Sequence, residues 1–188
     1  MNIAVIPARG GSKRVARKNI KIFSGKPIIY WPINTAKKSG LFDKIIISTD
    51  DNEIAEISKS YGAEVLFMRP KNLSDDYSEI GDVISHAVLW MNQNKIKPQN
   101  ICCIYPTSVF FSTNDLKEGY EALNKGSWKF SFSVTDFDYP IFRSFENVPE
   151  VGIKMFFPEE YHKRSQDLPK ALHDASQFYW GKPDAWID

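Results

Sequence analysis

Short apolar runs alternate with segments of helical periodicity along most of the chain. The runs are brief and rich in β-branched or aromatic residues, as is typical of strands, whereas the apolar residues between them recur near every 3.6 positions. Because strand–helix alternation needs crossover connections, it predicts an α/β fold with an open, mostly parallel sheet and helices on both faces. The predicted strands are 2–7, 44–49, 64–67, 100–105, 130–135 and 177–180, and the predicted helices are 28–39, 52–61, 79–93 and 113–124.

The pattern changes after Thr135. Residues 141–145 and 151–157 read as two strands joined by a turn at 146–150, which predicts an antiparallel hairpin arm. A chain of 188 residues fits one well-buried domain. We therefore predict a single domain over 1–188, with an arm at about 136–168.

Charge is distributed unevenly along the chain. The formal net charge is only +1, yet the first 42 residues contain nine Lys or Arg and no acidic residue. Such a segment favours an anionic ligand near the N-terminal end. The near-neutral total argues against a nucleic-acid partner, since such proteins are usually strongly basic.

Two adjacent cysteines, Cys102 and Cys103, lie in a predicted strand. Neighbours on a strand point to opposite faces, so we expect two buried free thiols and no disulfide framework. Neither a signal peptide nor an apolar stretch of 18 residues is visible, which predicts a soluble, cytoplasmic protein with no membrane partner.

Directly after the first strand the chain reads PARGGSKR, residues 7–14. In open α/β sheets this loop is a preferred ligand site. Gly10 and Gly11 permit positive φ and close backbone approach, so that N–H groups can converge on phosphate oxygens. Arg9, Lys13 and Lys18 can add charge-assisted hydrogen bonds, with Ser12 as a hydroxyl donor. The loop predicts a triphosphate site.

Two better-known phosphate loops are absent from this sequence. There is no G-x-G-x-x-G, and Gly25-Lys26 is followed by Pro27 where a Walker loop has Ser or Thr. From local chemistry alone, a solvated basic turn stays an equal alternative.

Motifs along nearly the whole chain resemble the cytidylyltransferases that activate nonulosonic acids, a family that includes the CMP-sialic acid synthetases. The late motif is narrower and resembles the branch that acts on pseudaminic acid. The motifs are PARGGSKR (7–14), RKNI (17–20), STDD (48–51), RP (69–70), LSDD (73–76), RSQDL (164–168) and HDASQFYWG (173–181).

This resemblance implies a nucleotide-diphospho-sugar transferase-like fold and a reaction. The anomeric hydroxyl of a nine-carbon sugar acid, foremost pseudaminic acid, would attack the α-phosphorus of CTP and release pyrophosphate. Mg²⁺ would assist, and the arm would join two chains in a homodimer. The alternatives are a sialic, legionaminic or 3-deoxy-octulosonic acid acceptor, or a truncated nucleotide-binding module without turnover.

The resemblance also assigns the nucleotide site. Arg9, Lys18 and Asn19 would act in catalysis. Arg14 and Arg17 contact ligand or face solvent, and Arg69 either lies near the nucleotide or pairs with Asp75 or Asp76 while Ser74 caps a helix. The implied nucleotide-binding residues are Ala8, Arg9, Gly10, Gly11, Ser12, Lys13, Lys18, Arg69, Ser74, Asp76 and Ser78.

The sugar acid would be bound by residues from the later motifs. Two of them depart from the family pattern, because Tyr105 stands where Gln is usual and Ser176 where Gly is usual. Thr107 and Ser108 either contact the sugar or cap the following helix. The implied sugar-binding residues are Tyr105, Thr107, Arg143, Arg164, Gln166, His173, Asp174 and Gln177.

Metal ligands are the least defined part of the site. Asp50 and Asp51 end the second strand and can hold Mg²⁺, but a structural role is favoured, with Asp51 or Asn52 capping the next helix. The family domain continues to an acidic C-terminal element that we expect this chain to lack. Asp174 is then the candidate metal ligand.

Overall fold

The computed structural model describes residues 1–187, which divide into two compact units. The first unit contains residues 1–133 and the chain from Ser176 onward, and the second is Val134–Ala175. The predicted arm of about 136–168 falls inside the second unit.

Nine strands and four α-helices form within the described residues. The longest helix has 14 residues, and none in this part of the chain is long and apolar enough to cross a bilayer. The strands are β1 (Asn2–Pro7), β2 (Ile22–Phe23), β3 (Lys26–Pro27), β4 (Lys44–Ser48), β5 (Asn100–Ile104), β6 (Phe130–Asp136), β7 (Phe145–Val148), β8 (Gly152–Met155) and β9 (Leu172–Gly181), and the helices are α1 (Tyr30–Ser39), α2 (Asn52–Ser60), α3 (Ile80–Gln93) and α4 (Thr113–Lys125).

Five strands form the main sheet in the order β4-β1-β5-β9-β6. β1 pairs in parallel with β4 on one side and with β5 on the other, so that Val5 lies between Ile46 and Cys103. β9 returns antiparallel to β5, with Cys103 opposite Tyr179. The open α/β sheet is confirmed, with its parallel strands grouped around β1.

The two faces of this sheet bury separate apolar clusters. Ala4 and Ile6 of β1 pack with residues of α1, α2 and α4, whereas Ile3 and Val5 pack with residues of α3. All four β1 side chains are fully buried. Alternate residues of one strand therefore reach opposite helical layers, which confirms helices on both faces.

Helix boundaries follow the local signals in the sequence. Gly40 ends α1 with φ 66°, and the Asp51 carboxylate accepts the Ile54 N–H at 3.0 Å as the cap of α2. α4 begins with a reciprocal capping box between Ser112 and Asp115. Thr107 and Ser108 are thus not its cap.

The predicted strand at 64–67 is wrong. The chain there runs beside β4 but meets it only at isolated bridges, Ile46 with Glu64 and Thr49 with Met68. Between those points it contributes no continuous ladder, because only its two ends form backbone hydrogen bonds to the β4 edge.

The hairpin is confirmed, but its register differs from the prediction. β7 begins at Phe145 and pairs antiparallel with β8, while Ile141–Arg143 forms a 3₁₀ turn instead of a strand. The connection is Pro149–Val151, with Glu150 at φ 64°. Proline cannot donate to a ladder, so pairing stops before it.

Cys102 and Cys103 lie on opposite faces of β5, each in a different apolar cluster. Both are buried free thiols, as predicted. Burial raises the pKa of both thiols, so neither is a ready nucleophile.

Ser176 adopts the left-handed conformation, with φ 52°, at the position where the resembling family has Gly. A side chain there costs roughly 1–2 kcal/mol. We expect Ser176→Gly to stabilise the protein by about 1 kcal/mol, raising Tm by roughly 2–4 °C in thermal unfolding. Ser131→Gly, inside β6, is the control and should lower Tm, since glycine weakens a strand interior. An equal loss in both variants would contradict the strain at Ser176.

Candidate active site

A cavity of about 880 Å³ opens at the carboxyl ends of the parallel strands in the first unit. Pro7 at the end of β1 lines it, as do Tyr105, Pro106 and Thr107 directly after β5. This is the edge where open α/β sheets bind ligands, and the volume suits a nucleotide-sized molecule.

Ten of the residues predicted for the site line this cavity. Five of the lining side chains are cations, and four of these were predicted as nucleotide-binding residues, the fifth being Arg14. Asp76 is the one lining carboxylate in the described part of the chain. The excess of positive charge suits a polyanionic ligand. The ten are Arg9, Ser12, Lys13, Lys18, Asn19, Arg69, Asp76, Ser78, Tyr105 and Thr107.

The two adjacent glycines do not act as the sequence predicted. Neither Gly10 nor Gly11 has positive φ, and neither lines the cavity. The Gly10 N–H donates to Asp50 Oδ1 at 2.9 Å, so it is already engaged. Close approach is the real constraint, because a Cβ on Gly10 would lie 2.7 Å from Asp51 Oδ2 and 3.0 Å from Asp51 Cβ.

We expect Gly10→Ala to displace the loop after β1, because Asp51 is held by its cap and cannot yield freely. The cost should be about 1–3 kcal/mol of stability, with a loss of nucleotide affinity. Gly11→Ala is the matched control, since a Cβ there meets nothing within 4 Å. Chemical denaturation and CTP calorimetry on both variants measure the difference. Equal behaviour of the pair would refute the close-approach argument.

The 3₁₀ turn Lys18–Ile20 carries two predicted residues to the cavity. Asn19 is 3% exposed, and its Nδ2 donates to the Arg9 carbonyl at 2.9 Å. Its buried Oδ1 has no hydrogen-bond partner within residues 1–187. Since a buried acceptor without a donor is costly, this atom is suited to receive a donor from a ligand.

Arg17 turns away from the cavity that its neighbours line. Its guanidinium bonds both carboxylate oxygens of Asp51 and also reaches Glu53. The hydrogen bond from Arg17 lowers the pKa of Asp51 and so keeps this carboxylate charged. Of the two residues that the sequence left open, Arg14 lines the cavity and Arg17 binds α2.

Asp76 binds two of the lining cations. Arg9 Nη2 lies 2.6 Å from Asp76 Oδ1, and the Lys13 ammonium pairs with the other oxygen. Arg9 also donates to the Asp75 carbonyl. The hydrogen bond from Lys13 lowers the pKa of Asp76, with Arg9 adding to the effect. An ionised carboxylate thus lies against the cations that would receive phosphates.

Arg69 is only 6% exposed, and it lines the cavity. Its Nε donates to Ser48 Oγ at 3.1 Å, another nitrogen donates to the Ser48 carbonyl, and Nη1 reaches the Leu73 carbonyl at 3.4 Å. The alternative pairing with Asp75 or Asp76 is wrong, because Arg9 makes those contacts. Burial lowers the pKa of Arg69 to about 10.

Besides Gly10 and Gly11, three other predicted residues of the first unit lie outside the cavity lining. Ala8 is buried and its N–H donates to the Ser48 carbonyl at 2.9 Å. Ser74 Oγ donates to the Pro70 carbonyl at 2.9 Å, and Ser74 is the C-cap of the 3₁₀ turn Lys71–Leu73, whereas Glu79 precedes α3. Gln177 Oε1 accepts the Phe110 N–H at 3.3 Å. With Gly10 and Gly11, these residues shape the loops around the site.

The second unit carries the remaining sugar-binding predictions. Arg143 donates to the carbonyls of Tyr161 and Lys163, and Arg164 pairs with Asp167 at 2.7 Å. Gln166 is exposed in the turn Ser165–Asp167. His173 and Asp174 lie at the exposed start of β9, where His173 Nδ1 is 3.0 Å from the Asp174 carbonyl. Their role in binding sugar stays a prediction.

Sequence reasoning missed the apolar side of the cavity. Ile80 and Val83, three positions apart in the first turn of α3, line it together with Pro106. The signal was present as helical spacing directly after the implied nucleotide-binding residues Ser74, Asp76 and Ser78, but apolar residues at that spacing ordinarily indicate only a packed core.

Metal-binding side chains do not cluster in the described part of the chain. No three His, Cys, Asp or Glu residues converge within residues 1–187. Asp50 accepts the Gly10 N–H, and Asp51 caps α2 while pairing with Arg17. Asp51 is confirmed as the cap of α2, and the structural role favoured over Mg²⁺ binding for this pair stays a prediction.

Comparison with known proteins gives the same family. Residues 3–169 match the family described as cytidylyltransferase. Over 188 residues the chain is 45% identical to pseudaminic acid cytidylyltransferase of Campylobacter jejuni subsp. jejuni serotype O:23/36 (strain 81-176), covering 100% of this chain and 81% of that protein. Identity to N-acylneuraminate cytidylyltransferase of Escherichia coli O18:K1:H7 (strain RS218 / NMEC) is 29%, over 91% of this chain and 40% of that protein.

The fold is shared with a solved structure of CMP:2-keto-3-deoxy-manno-octonic acid synthetase complexed with CTP. The two chains superimpose with a TM-score of 0.72 over 98% of this chain and 75% of that one, at 16% identity, which shows the fold alone. The family match and the full-length identity, together with a cationic cavity at the expected sheet edge, lead to one conclusion: this chain belongs to the cytidylyltransferase family.

Proposed function

We propose that this protein transfers CMP from CTP to pseudaminic acid and releases pyrophosphate. The observation that carries the proposal is the cavity at the end of β1, which is lined by five cations and one carboxylate. A triphosphate brings about four negative charges at neutral pH, which such a lining can compensate. The 45% identity to a pseudaminic acid cytidylyltransferase supports the choice of acceptor.

The reaction needs no covalent enzyme intermediate. The anomeric hydroxyl oxygen of the sugar acid bonds to the α-phosphorus, the bond from that phosphorus to the pyrophosphate oxygen breaks, and the hydroxyl proton passes to solvent or a carboxylate. Arg9, Lys13 and Lys18 stabilise the charge on the phosphates, as preorganised cations do in phosphoryl transfer.

Base and sugar contacts complete the proposal. Arg69 and the loop from Ser74 to Ser78 recognise the cytosine, and Asn19 Oδ1 accepts a hydrogen bond from the nucleotide. Tyr105 and Thr107 face the sugar in the cavity of the first unit. Arg143, Arg164, Gln166, His173, Asp174 and Gln177 are the other proposed sugar contacts.

Mg²⁺ is the proposed cofactor. The absence of a three-ligand cluster in residues 1–187 fits this ion, because Mg²⁺ keeps several waters and binds mainly through substrate phosphates with one or two carboxylates. Asp76 lines the cavity and is the carboxylate that we propose as a ligand there. Asp174 stays a ligand predicted from the resemblance alone. When bound, Mg²⁺ neutralises charge on the phosphate oxygens.

A homodimer is the proposed assembly. The β7–β8 hairpin exposes large apolar side chains, among them Phe145 at 55%, Val151 at 79% and Ile153 at 75%. Two-stranded hairpins are marginal alone, so burial against a second copy would stabilise this one. Analytical ultracentrifugation should give twice the chain mass, and Ile153→Lys should reduce it to a monomer.

The function is tested by pyrophosphate release from CTP and Mg²⁺ with a panel of sugar acids. Pseudaminic acid should give the fastest release and a CMP-sugar detected by mass spectrometry. Faster turnover of a sialic, legionaminic or 3-deoxy-octulosonic acid would change the assigned acceptor. CTP binding without turnover of any acid, even in excess Mg²⁺, would refute transfer by this chain.

A further inference from the structure

Two residues of the loop after β1 contact the side chain of Asp51. Gly10 packs directly against the Asp51 side chain, and seven residues later the Arg17 guanidinium bonds both oxygens of the same carboxylate. Asp51 is itself fixed, since Oδ1 accepts the Ile54 N–H in the first turn of α2 at 3.0 Å. The start of α2 is therefore the anchor of this loop.

Arg17 holds an unusual backbone conformation at this anchor. It has φ 51° and ψ 34°, a left-handed conformation that residues with side chains rarely adopt. Its carbonyl accepts the Ile20 N–H at 3.0 Å and so begins the 3₁₀ turn Lys18–Ile20. Contacts made by the guanidinium must compensate the backbone strain, and its bonds to Asp51 and Glu53 are the ones present.

The turn is held on its other side as well. Asn19 donates to the Arg9 carbonyl at 2.9 Å, and the Asn19 carbonyl accepts the Ile29 N–H at 3.2 Å. Lys18 lies between Arg17, which is bonded to Asp51 and Glu53, and Asn19. It lines the cavity, and its ammonium forms no hydrogen bond or ion pair within residues 1–187. Its backbone is thus fixed at both neighbours while its charge stays available.

We infer that Arg17 is a positioning residue for the transfer reaction, which fixes Lys18 in the 3₁₀ turn by binding Asp51 and Glu53 at the start of α2. The inference rests on the proposed function, because it assigns Arg17 an effect through Lys18. It also accounts for a cation in the basic loop that does not face the ligand. The Arg fork suits this role, since a lysine cannot bond two oxygens of one carboxylate in a fixed plane.

Arg17→Gly is the variant that separates side chain from backbone. Glycine adopts the left-handed conformation readily, so this change removes the ion pairs without adding backbone strain. We expect kcat for CMP transfer to fall by about 10- to 100-fold, as for a displaced catalytic group, with a smaller change in KM for CTP. Lys21→Ala, which removes an exposed cation of the same segment, is the control and should change kcat by less than about 2-fold.

A double-mutant cycle with Lys18→Ala distinguishes positioning from general damage. If Arg17 acts through Lys18, Arg17→Gly should lower kcat by less than about 3-fold once Lys18 is absent. The same large factor in both backgrounds, or no loss in the wild-type background, would overturn the inference. Should Arg17→Gly fail to fold, Asp51→Asn takes its place, because Asn keeps the helix cap and loses the charge.

Amide hydrogen exchange tests the same attachment without turnover. The Ile20 amide should exchange faster in Arg17→Gly than in the wild type, because its acceptor is the Arg17 carbonyl. Unchanged protection of Ile20 would overturn the positioning role whether or not the enzyme is active. An inactive wild type with faster Ile20 exchange in the variant would instead count against the proposed function alone.

Discussion

Lys18→Ala should reduce the rate of CMP transfer by about 100- to 1,000-fold while leaving the stability of the protein nearly unchanged. The ammonium lines the cavity but packs into no core, and the residue is exposed. Its loss should therefore remove charge stabilisation from the transition state and cost less than about 0.5 kcal/mol of unfolding free energy.

Steady-state kinetics and thermal unfolding of the Lys18 variant give the two readouts. Lys21→Ala is the matched control, since it removes a cation three positions away that does not line the cavity. An equal loss of transfer and stability would show that Lys18 is structural, and full activity would remove it from the site.

The second large effect is expected at Arg69. Holding this charge inside the protein is unfavourable, because burial lowers the pKa of Arg69 to about 10, equivalent to roughly 3 kcal/mol. If Arg69 is replaced, the Ser48 carbonyl still accepts a hydrogen bond from the Ala8 N–H, at 2.9 Å, and so is not left without a donor. Arg69→Met should therefore keep the unfolding free energy within about 1–2 kcal/mol of the wild type, with lost hydrogen bonds offset by relief of the buried charge.

CTP binding should fall by about 10- to 100-fold in the same variant, since a charged hydrogen-bond donor contributes roughly 1.5–3 kcal/mol. Calorimetry with CTP and denaturant unfolding separate the two effects. Lys71→Met, an exposed change in the same segment, should alter neither. A variant that unfolds easily yet binds CTP at wild-type affinity would make Arg69 a structural residue only.

Local patterns predicted the secondary structure closely where they were unambiguous. All four helices begin and end within two residues of the prediction, because periodicity, Gly40 and Asp51 are local signals. The strand prediction at 64–67 was wrong for the opposite reason. The composition of this segment favours a strand, but strand pairing depends on a partner edge, which the segment meets only at its ends.

The candidate site was predictable in its members but not in their contacts. The resemblance named ten residues that line one cavity. It did not indicate that Asp76 would bind Arg9 and Lys13, or that Gly10 is required by the Asp51 side chain and not by φ. Those contacts join residues 41 to 67 positions apart, and such distances carry no periodic signal.

The amino-acid sequence by itself determined the order of strands and helices, the cationic loop after β1 and the family, since each depends on short motifs or local periodicity. The tertiary structure alone decided which charges remain available for a ligand. Lys18 faces the cavity and Arg17 does not, although they are neighbours, because Asp51 and Glu53 reach the loop only after β4 has paired beside β1.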